Sequence, residues 1–347
     1  MPTTKPLISI VLPFRDAAAT LAECLDSIAA QTFADYELLA IDDGSADDSA
    51  AIVRARAETD RRIRPLSPGR VGLVAALNLG VAAARAPLIA RMDADDLMLP
   101  ERLAAQIAEM ERRPDLALVA AQVELFPDEQ LRAGYREYAH WQNRVLSHDD
   151  VANNIYVESP FAHPSVMLRR EVFDALGGYA DGPFPEDYQL WLRMHQAGLR
   201  MAKLPRVLLR WRERADRASR VDPRYDRAAF DRLRAEFLAR DPRLSGGRPV
   251  VVWGAGRKTR LRARQLIERG IRPAAWVDID PDKIGHIVWG LPVHPREWLD
   301  QPDFRQAGAE DRPFVLVYVT AHGARELIAG WLAGWGYRIG ADYLPVG

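Results

Sequence analysis

The chain has 347 residues, 48% of them hydrophobic, which is enough for two domains of ordinary size, each with its own core. Its 47 Lys and Arg nearly balance 48 Asp and Glu, so a net charge of −1 argues against bulk binding of nucleic acid. The single cysteine excludes an intrachain disulfide framework, and no apolar run is long enough to span a bilayer.

Leu7 to Leu12 reads as a short strand ending at Pro13. Ala18 to Gln31 has helical spacing, with Leu21, Cys24, Leu25 and Ile28 on one face. Tyr36 to Ile41 is a second strand running into Asp42-Asp43-Gly44-Ser45, and the apolar run Pro87 to Met92 ends at Asp93-Ala94-Asp95-Asp96. Strand, helix and strand with polar residues at the carboxyl ends is the pattern of an open α/β sheet, whose ligands bind in that crevice. The sheet therefore brings Pro13-Phe14-Arg15, Asp42-Asp43-Gly44 and Asp93-Ala94-Asp95 to one edge.

Clustered carboxylates repel one another and are costly to desolvate. A hard divalent cation relieves that cost, and such a cation can grip a diphosphate. The alternative for Asp93 to Asp96 is a solvated acidic turn before the helix starting near Pro100. Asp42 and Asp43 suit a base or ribose better than a second metal. Their alternative is an N-cap for a helix over Ser45 to Arg56, and capping is compatible with binding.

Tyr135 to His148, with Tyr138, His140 and Trp141, is either an aromatic wall for a sugar or an ordinary core helix. His163 precedes the apolar strand Val166-Met167-Leu168, where a lone loop histidine is more often structural. Glu186 to Ala197 is an amphipathic helix with Leu190, Trp191 and Met194 inward. Glu186 and Asp187 in its first turn favour the helix dipole. They also sit where a rigid helix would fix a general base.

Around Asp241 to Gly247 the composition turns to breakers, which marks a linker and places a domain boundary between 244 and 245. Beyond it, Pro249 to Trp253 is a strand running into Gly254-Ala255-Gly256. A helix continues through Leu261, Leu266 and Ile267 to Gly270. Pro273 to Val277 and Phe314 to Val319 are further strands, and His322 to Arg325 opens a helix. Gly254 and Gly256 match the first two glycines of a dinucleotide fingerprint, but Thr259 stands where the third belongs. Asp278 lies at the distance expected for a ribose carboxylate. This small Rossmann-like unit is read either as a structural or partner-binding module or as a nucleotide site formed by Gly254, Gly256 and Asp278. It resembles the N-terminal nucleotide-binding unit of sugar acyltransferase and epimerase-like proteins.

Four segments in order carry a wider resemblance: ISIVLPFRDAAATLAECLDSIAAQTFADYELLAIDDGSADDS, GLVAALNLGVAAARAPLIARMDADDLMLPERL, HPSVMLRREVFDALGGY and PEDYQLWLRMHQAG. The chain resembles family 2 glycosyltransferases of the GT-A fold over roughly residues 5–240. The resemblance implies an α/β architecture: a GT-A nucleotide-diphospho-sugar transferase domain over 1–244, then the small α/β domain over 245–347. It implies an inverting enzyme, dependent on Mg²⁺ or Mn²⁺, that moves a sugar from a nucleotide-diphosphate sugar donor to a saccharide or glycolipid acceptor in cell-surface assembly.

Residue by residue, Asp43 resembles the carboxylate on the donor base, Asp93 the first Asp of the DxD motif near the ribose, and Asp95 the metal ligand. Asp187 resembles the catalytic base, and Pro13 and Arg15 line the nucleotide pocket. His163 and Glu186 fall on the acceptor side. The chain departs from the pattern at Trp211-Arg212-Glu213-Arg214, where Arg214 replaces a frequent His. A guanidinium cannot ligate a metal but binds phosphate bidentately, so Arg212 or Arg214 is expected on the donor diphosphate, or else in a solvated basic segment.

Two other functions compete. Nucleotidyl transfer would want a Gly-rich basic loop after the first strand, where the chain has Phe14-Arg15-Asp16-Ala17. A non-catalytic nucleotide-sugar sensor or scaffold is disfavoured by the intact Asp43, Asp95 and Asp187. No signal-peptide pattern is read at the N-terminus, and nucleotide sugars imply a cytoplasmic enzyme. Arginines from Arg206 to Arg264 leave peripheral membrane contact with anionic headgroups open.

Overall fold

The computed structural model describes residues 5–127, 129, 131, 133–214, 217–306, 312–321 and 323–347. In chain order the elements begin with β1 (Ile8–Phe14), α1 (Ala18–Ala29), β2 (Tyr36–Asp42), α2 (Ser49–Thr59), β3 (Ile63–Leu66) and α3 (Leu73–Ala83). There follow β4 (Leu88–Arg91), β5 (Leu97–Met98), α4 (Arg102–Arg112), β6 (Leu116–Phe126), α5 (Ala133–Arg144) and α6 (His148–Asn154). Next come β7 (Met167–Arg169), α7 (Arg170–Ala175), α8 (Glu186–Gln196), β8 (Arg200–Arg212), α9 (Ala218–Val221) and α10 (Arg227–Leu238). The chain closes with β9 (Val250–Trp253), α11 (Arg257–Ile267), β10 (Pro273–Asp278), β11 (Ile287–Val288), β12 (Leu291–Pro295), α12 (Pro302–Gln306), β13 (Phe314–Val317), α13 (Ala324–Gly334) and β14 (Tyr343–Pro345). His322, expected at the start of a helix, lies outside the described residues.

Contacts divide the chain into two units, Met1–His148 with Pro160–Arg224, and Asp149–Ser159 with Tyr225–Gly347. This division differs from the boundary expected between 244 and 245. Two packing facts account for it. The Tyr156 hydroxyl, fully buried, donates to Asp241 at 2.9 Å, and Gly347 N–H donates to the Tyr156 carbonyl at 2.8 Å. The breaker-rich segment is also ordered, as a short 3-10 turn at Pro242–Leu244 capped by Asp241.

The first unit holds an eight-stranded sheet in the order β3-β2-β1-β4-β7-β6-β8-β5. β1 runs parallel to β2 and β4, β6 runs parallel to β8, and β7 is antiparallel to both its neighbours. Its strands bury Ile8, Ile10 and Leu12, and the α1 stripe of Leu21, Cys24, Leu25 and Ile28 is buried as the spacing predicts. Pro13 can sit in a central strand because β4 pairs with β1 only as far as Val11, so its missing N–H interrupts no ladder there. The helix expected over Ser45 to Arg56 starts only at Ser49. Asp42 accepts from Ser45 N–H at 2.9 Å, and Asp47 takes Ala18 and Ser49 N–H at 2.9 and 3.0 Å, so side chains hold this stretch as a loop.

The second unit holds a six-stranded sheet in the order β11-β12-β10-β9-β13-β14. All but β11 are parallel, and the order reverses at β9, as in open doubly wound sheets. Trp253, Trp276, Val251 and Leu316 are buried between its layers.

Candidate active site

The acid loop after β4 is fastened to one face of α1. The Thr20 hydroxyl donates to the Ala94 carbonyl at 3.1 Å and the Cys24 thiol to the Asp93 carbonyl at 3.3 Å. Ser27 accepts from Met98 N–H at 3.0 Å, and Gln31 donates to the Leu99 carbonyl at 2.8 Å. Steps of four, three and four residues put these side chains in one row along the helix. The row satisfies backbone groups that an irregular buried segment would otherwise leave unpaired.

Ligand oxygens of Asp93, Asp95 and Asp96 lie within 4.8 Å of one another. Asp96 is fully buried; one oxygen accepts from Arg212 N–H at 2.7 Å and the other has no hydrogen-bond partner. Burial, then the charges of Asp95 and Asp93, hold its carboxyl well above the ordinary range. Burial and Asp93 also raise Asp95, against the opposing charges of Arg217 and Arg214. Repulsion of this kind fits a divalent cation, whose charge would offset it. Asp93 and Asp95 keep partly exposed faces, so they can reach a cation from solvent, while the sealed Asp96 locks the loop.

Arg91, at the end of β4, is the group that sequence reasoning missed. Its side chain is 4% exposed and its guanidinium bonds to Asp93. Its charge also acts on Tyr179, Glu186 and Asp187. It therefore joins the acid loop electrostatically to the start of α8. A charged residue inside an apolar run was the available signal. Arg102 was missed as well: fully buried, it donates to the Arg91 carbonyl at 2.9 Å and to Gln106 at 3.0 Å, fixing the backbone behind the loop.

Asp187 stands in the first turn of α8 and accepts from Tyr188 N–H at 2.7 Å. Burial, then the charge of Glu186, push its carboxyl up to about 8. Glu186 itself is 1% exposed, which does not suit the acceptor-facing position expected of it. His163 is likewise enclosed by protein. It is buried, its Nε2 lies 2.8 Å from the Tyr179 hydroxyl, and its ring packs edge-on to Trp191. Burial, then Arg91, hold its pKa well below the ordinary value, so the ring is neutral and its 3.8 Å approach to Glu186 is not an ion pair.

At the neighbouring strand ends, one Asp43 oxygen accepts Val71 and Gly72 N–H at 2.7 Å each, and the other faces Arg15 at 3.9 Å. Arg15 is exposed at this edge, whereas Pro13 is buried within β1. Arg212, expected on a diphosphate, is committed to the protein. It donates to the Asp95 carbonyl and to Glu23 at 2.6 Å each, and it lies over the Phe126 ring. It braces the loop instead. Arg214 remains close enough for its charge to lower Asp95. The larger cationic influence on Asp95 is Arg217, held over Trp211 and 3.7 Å from Glu213.

In the second unit, Gly254 adopts φ +112, a conformation that needs glycine. Asp278 does not present an open carboxylate. Its oxygens accept Ala255, Ile279 and Asp280 N–H at 2.7, 2.8 and 3.0 Å, and Lys283 stands 3.6 Å away. It holds the loops together where a ribose carboxylate was expected.

Residues 9–177 match the model of Glycosyl transferase family 2. Among curated relatives, the amylovoran biosynthesis glycosyltransferase AmsE of Erwinia amylovora is 32% identical over 215 residues, spanning 60% of this chain and 76% of that protein. The O-antigen biosynthesis glycosyltransferase WbnJ of Escherichia coli is 29% identical over 209 residues, spanning 59% and 79%. Among solved structures, S. aureus TarS 1-349 in complex with UDP-GlcNAc superposes with TM-score 0.52 at 15% identity, covering 76% of this chain and 79% of that one. That likeness is one of fold, the GT-A arrangement of the α/β sheet. With the acid loop, the strand-end carboxylates and these relatives in view, the chain is a glycosyltransferase and belongs to glycosyl transferase family 2.

Proposed function

We propose that this glycosyltransferase is inverting and metal-dependent, and moves a sugar from a nucleotide-diphosphate donor to a hydroxyl of a saccharide or glycolipid. The observation that carries the reading is the pairing of two unlike acidic sites bridged by Arg91. One is the mutually repelling cluster Asp93-Asp95-Asp96, and the other is the raised carboxyl of Asp187.

Asp187 takes the proton of the attacking hydroxyl as the new bond forms. A carboxylate held up near neutral pH is a stronger base than an ordinary one, and the helix start fixes its position. Asp43 accepts an N–H of the donor base with its Arg15-facing oxygen, and Asp93 sits toward the ribose. Asp95, with Asp93, would hold Mg²⁺ or Mn²⁺, which when bound stabilises charge on the leaving diphosphate. Arg214 and Arg217 add fixed positive charge on that side. A single base opposite the leaving group gives direct displacement with inversion.

The names of AmsE and WbnJ support a surface-polysaccharide or O-antigen type of acceptor. Among the described residues no helix is long and apolar enough to cross a membrane, which accords with a cytoplasmic-side enzyme that touches the bilayer peripherally. The test is calorimetric titration with UDP, dTDP, GDP and CDP, with Mn²⁺ and with chelator. Tight binding of one nucleotide that needs Mn²⁺ and is lost in Asp95→Ala is expected. Donor binding indifferent to both would overturn the metal assignment.

A further inference from the structure

The second unit carries a crevice that the transfer reaction does not use. The chain leaves β9 through α11 to β10 on one side, while β13 lies on the other, so the strand order reverses beside the Gly254 loop. Ligands of open α/β sheets collect at such a point. A cavity of about 270 Å³ occupies it. Its inner wall is apolar and aromatic, formed by Trp253, Tyr318, Ile328 and Trp331. The rings of Trp253 and Trp331 lie nearly parallel, 10° apart, with centroids at 6.1 Å. Lys258 is exposed at the cavity's edge, and Lys283 also lines it, held 2.7 Å from Asp280 and 3.6 Å from Asp278.

The loop is built to leave this space open. A Cβ on Gly254 would come within 3.0 Å of Thr259 and 3.3 Å of Val319, so any side chain there intrudes on the lining. Gly256 caps α11 without a side chain, and the first-turn N–H groups add to the positive character of the mouth.

A dinucleotide does not fit. The volume lies just below the roughly 300–1,000 Å³ usual for sites that enclose drug-sized ligands. The carboxylate that would take the ribose is already engaged by three backbone N–H groups.

We propose that this cavity is a second binding site, taking a compact anion with a flat apolar body no larger than a mononucleotide. The flat body lies against the Tyr318 and Trp331 wall, and the anionic head meets Lys258 and the first-turn N–H groups of α11, while Lys283 stays paired with Asp278 and Asp280. Nucleoside monophosphates and aromatic carboxylates share this chemistry.

The test uses the full chain in chelator, titrated calorimetrically with UMP, AMP and indole-3-carboxylate. It is run also in an Asp43→Ala, Asp95→Ala double variant that silences the first unit. Saturable binding of at least one probe is expected to survive the double variant, to weaken about tenfold in Lys258→Glu, and to vanish in Gly254→Val. Binding of UMP or AMP alone identifies a nucleotide site; binding of indole-3-carboxylate identifies a carboxylate site. Lys258 is exposed, so its substitution does not threaten folding. No saturable binding by any probe, or binding that Lys258→Glu leaves unchanged, would overturn the proposal. Binding lost in the double variant but kept in Lys258→Glu would also overturn it, placing the ligand in the first unit and leaving the donor reading intact.

Discussion

In the first unit an acid loop follows β4, in the second β10 ends on Asp278, and the carboxylates of the two places have opposite circumstances. Asp96 keeps a buried oxygen without a partner and Asp95 faces like charges, while Asp278 accepts three backbone N–H groups and has a lysine beside it. A carboxylate with its hydrogen bonds complete is a fastener. One held against its neighbours' charge is poised for a cation. The residue type at a strand end therefore says less about function than whether the protein itself has satisfied it.

That contrast can be broken experimentally. The largest expected effect is on chemistry. Asp187→Asn keeps the acceptor for Tyr188 N–H but removes the base, and transfer should fall by about 10²–10⁴-fold with donor affinity unchanged. Normal turnover in that variant would end the assignment. Next comes Arg91→Met, which leaves the partly exposed Asp93 without its guanidinium partner. Chemical denaturation should show a loss of about 1–3 kcal/mol, the scale of losing a charge-assisted hydrogen bond to a partly exposed carboxylate.

The sharpest comparison sets Asp278→Ala against Asp95→Ala. The first should cost about 1–3 kcal/mol by orphaning backbone donors, leaving metal-dependent nucleotide binding intact. The second should leave the melting temperature unchanged or higher, because it removes repulsion, while abolishing that binding. Equal destabilisation by both would erase the distinction drawn here.

The smallest effect is in pH dependence. Asp187 acts only when deprotonated, so kcat/KM should climb as pH rises to about 8 and level off above it. The sign for stability is opposite. A carboxyl raised in the folded state binds its proton there before the unfolded chain does, so stability should decline as pH rises from the ordinary carboxylate range toward about 8. Thermal melts of Asp187→Asn should lack that decline.

Much of this was legible in the residues. Apolar runs closing on Asp42-Asp43 and on Asp93 to Asp96 predicted strands that lie next to or near each other in the sheet, because parallel strands deliver their carboxyl ends to one edge. Asp187 was legible as a first-turn carboxylate. What escaped notice is polar but buried. Arg91 reads as a lapse in an apolar strand until Glu186 and Tyr179, distant in sequence, are folded against it. The row Thr20, Cys24, Ser27 and Gln31 lies beside the apolar stripe that hydrophobic periodicity detects, and small polar residues add nothing to that signal. Arg212, Glu186 and His163 turn toward the protein, and composition cannot distinguish a side chain turned to a ligand from one turned to the protein.

Cys24 gives the molecule an internal clock. It is the chain's one cysteine, it is fully buried, and its thiol rests on the Asp93 carbonyl. Burial and the nearby aspartates hold the thiol well above its usual pKa, so a labelling reagent gains access only when α1 and the acid loop part. The rate of modification therefore reports how much of the time that contact stands open, and a ligand that clamps the loop would slow it.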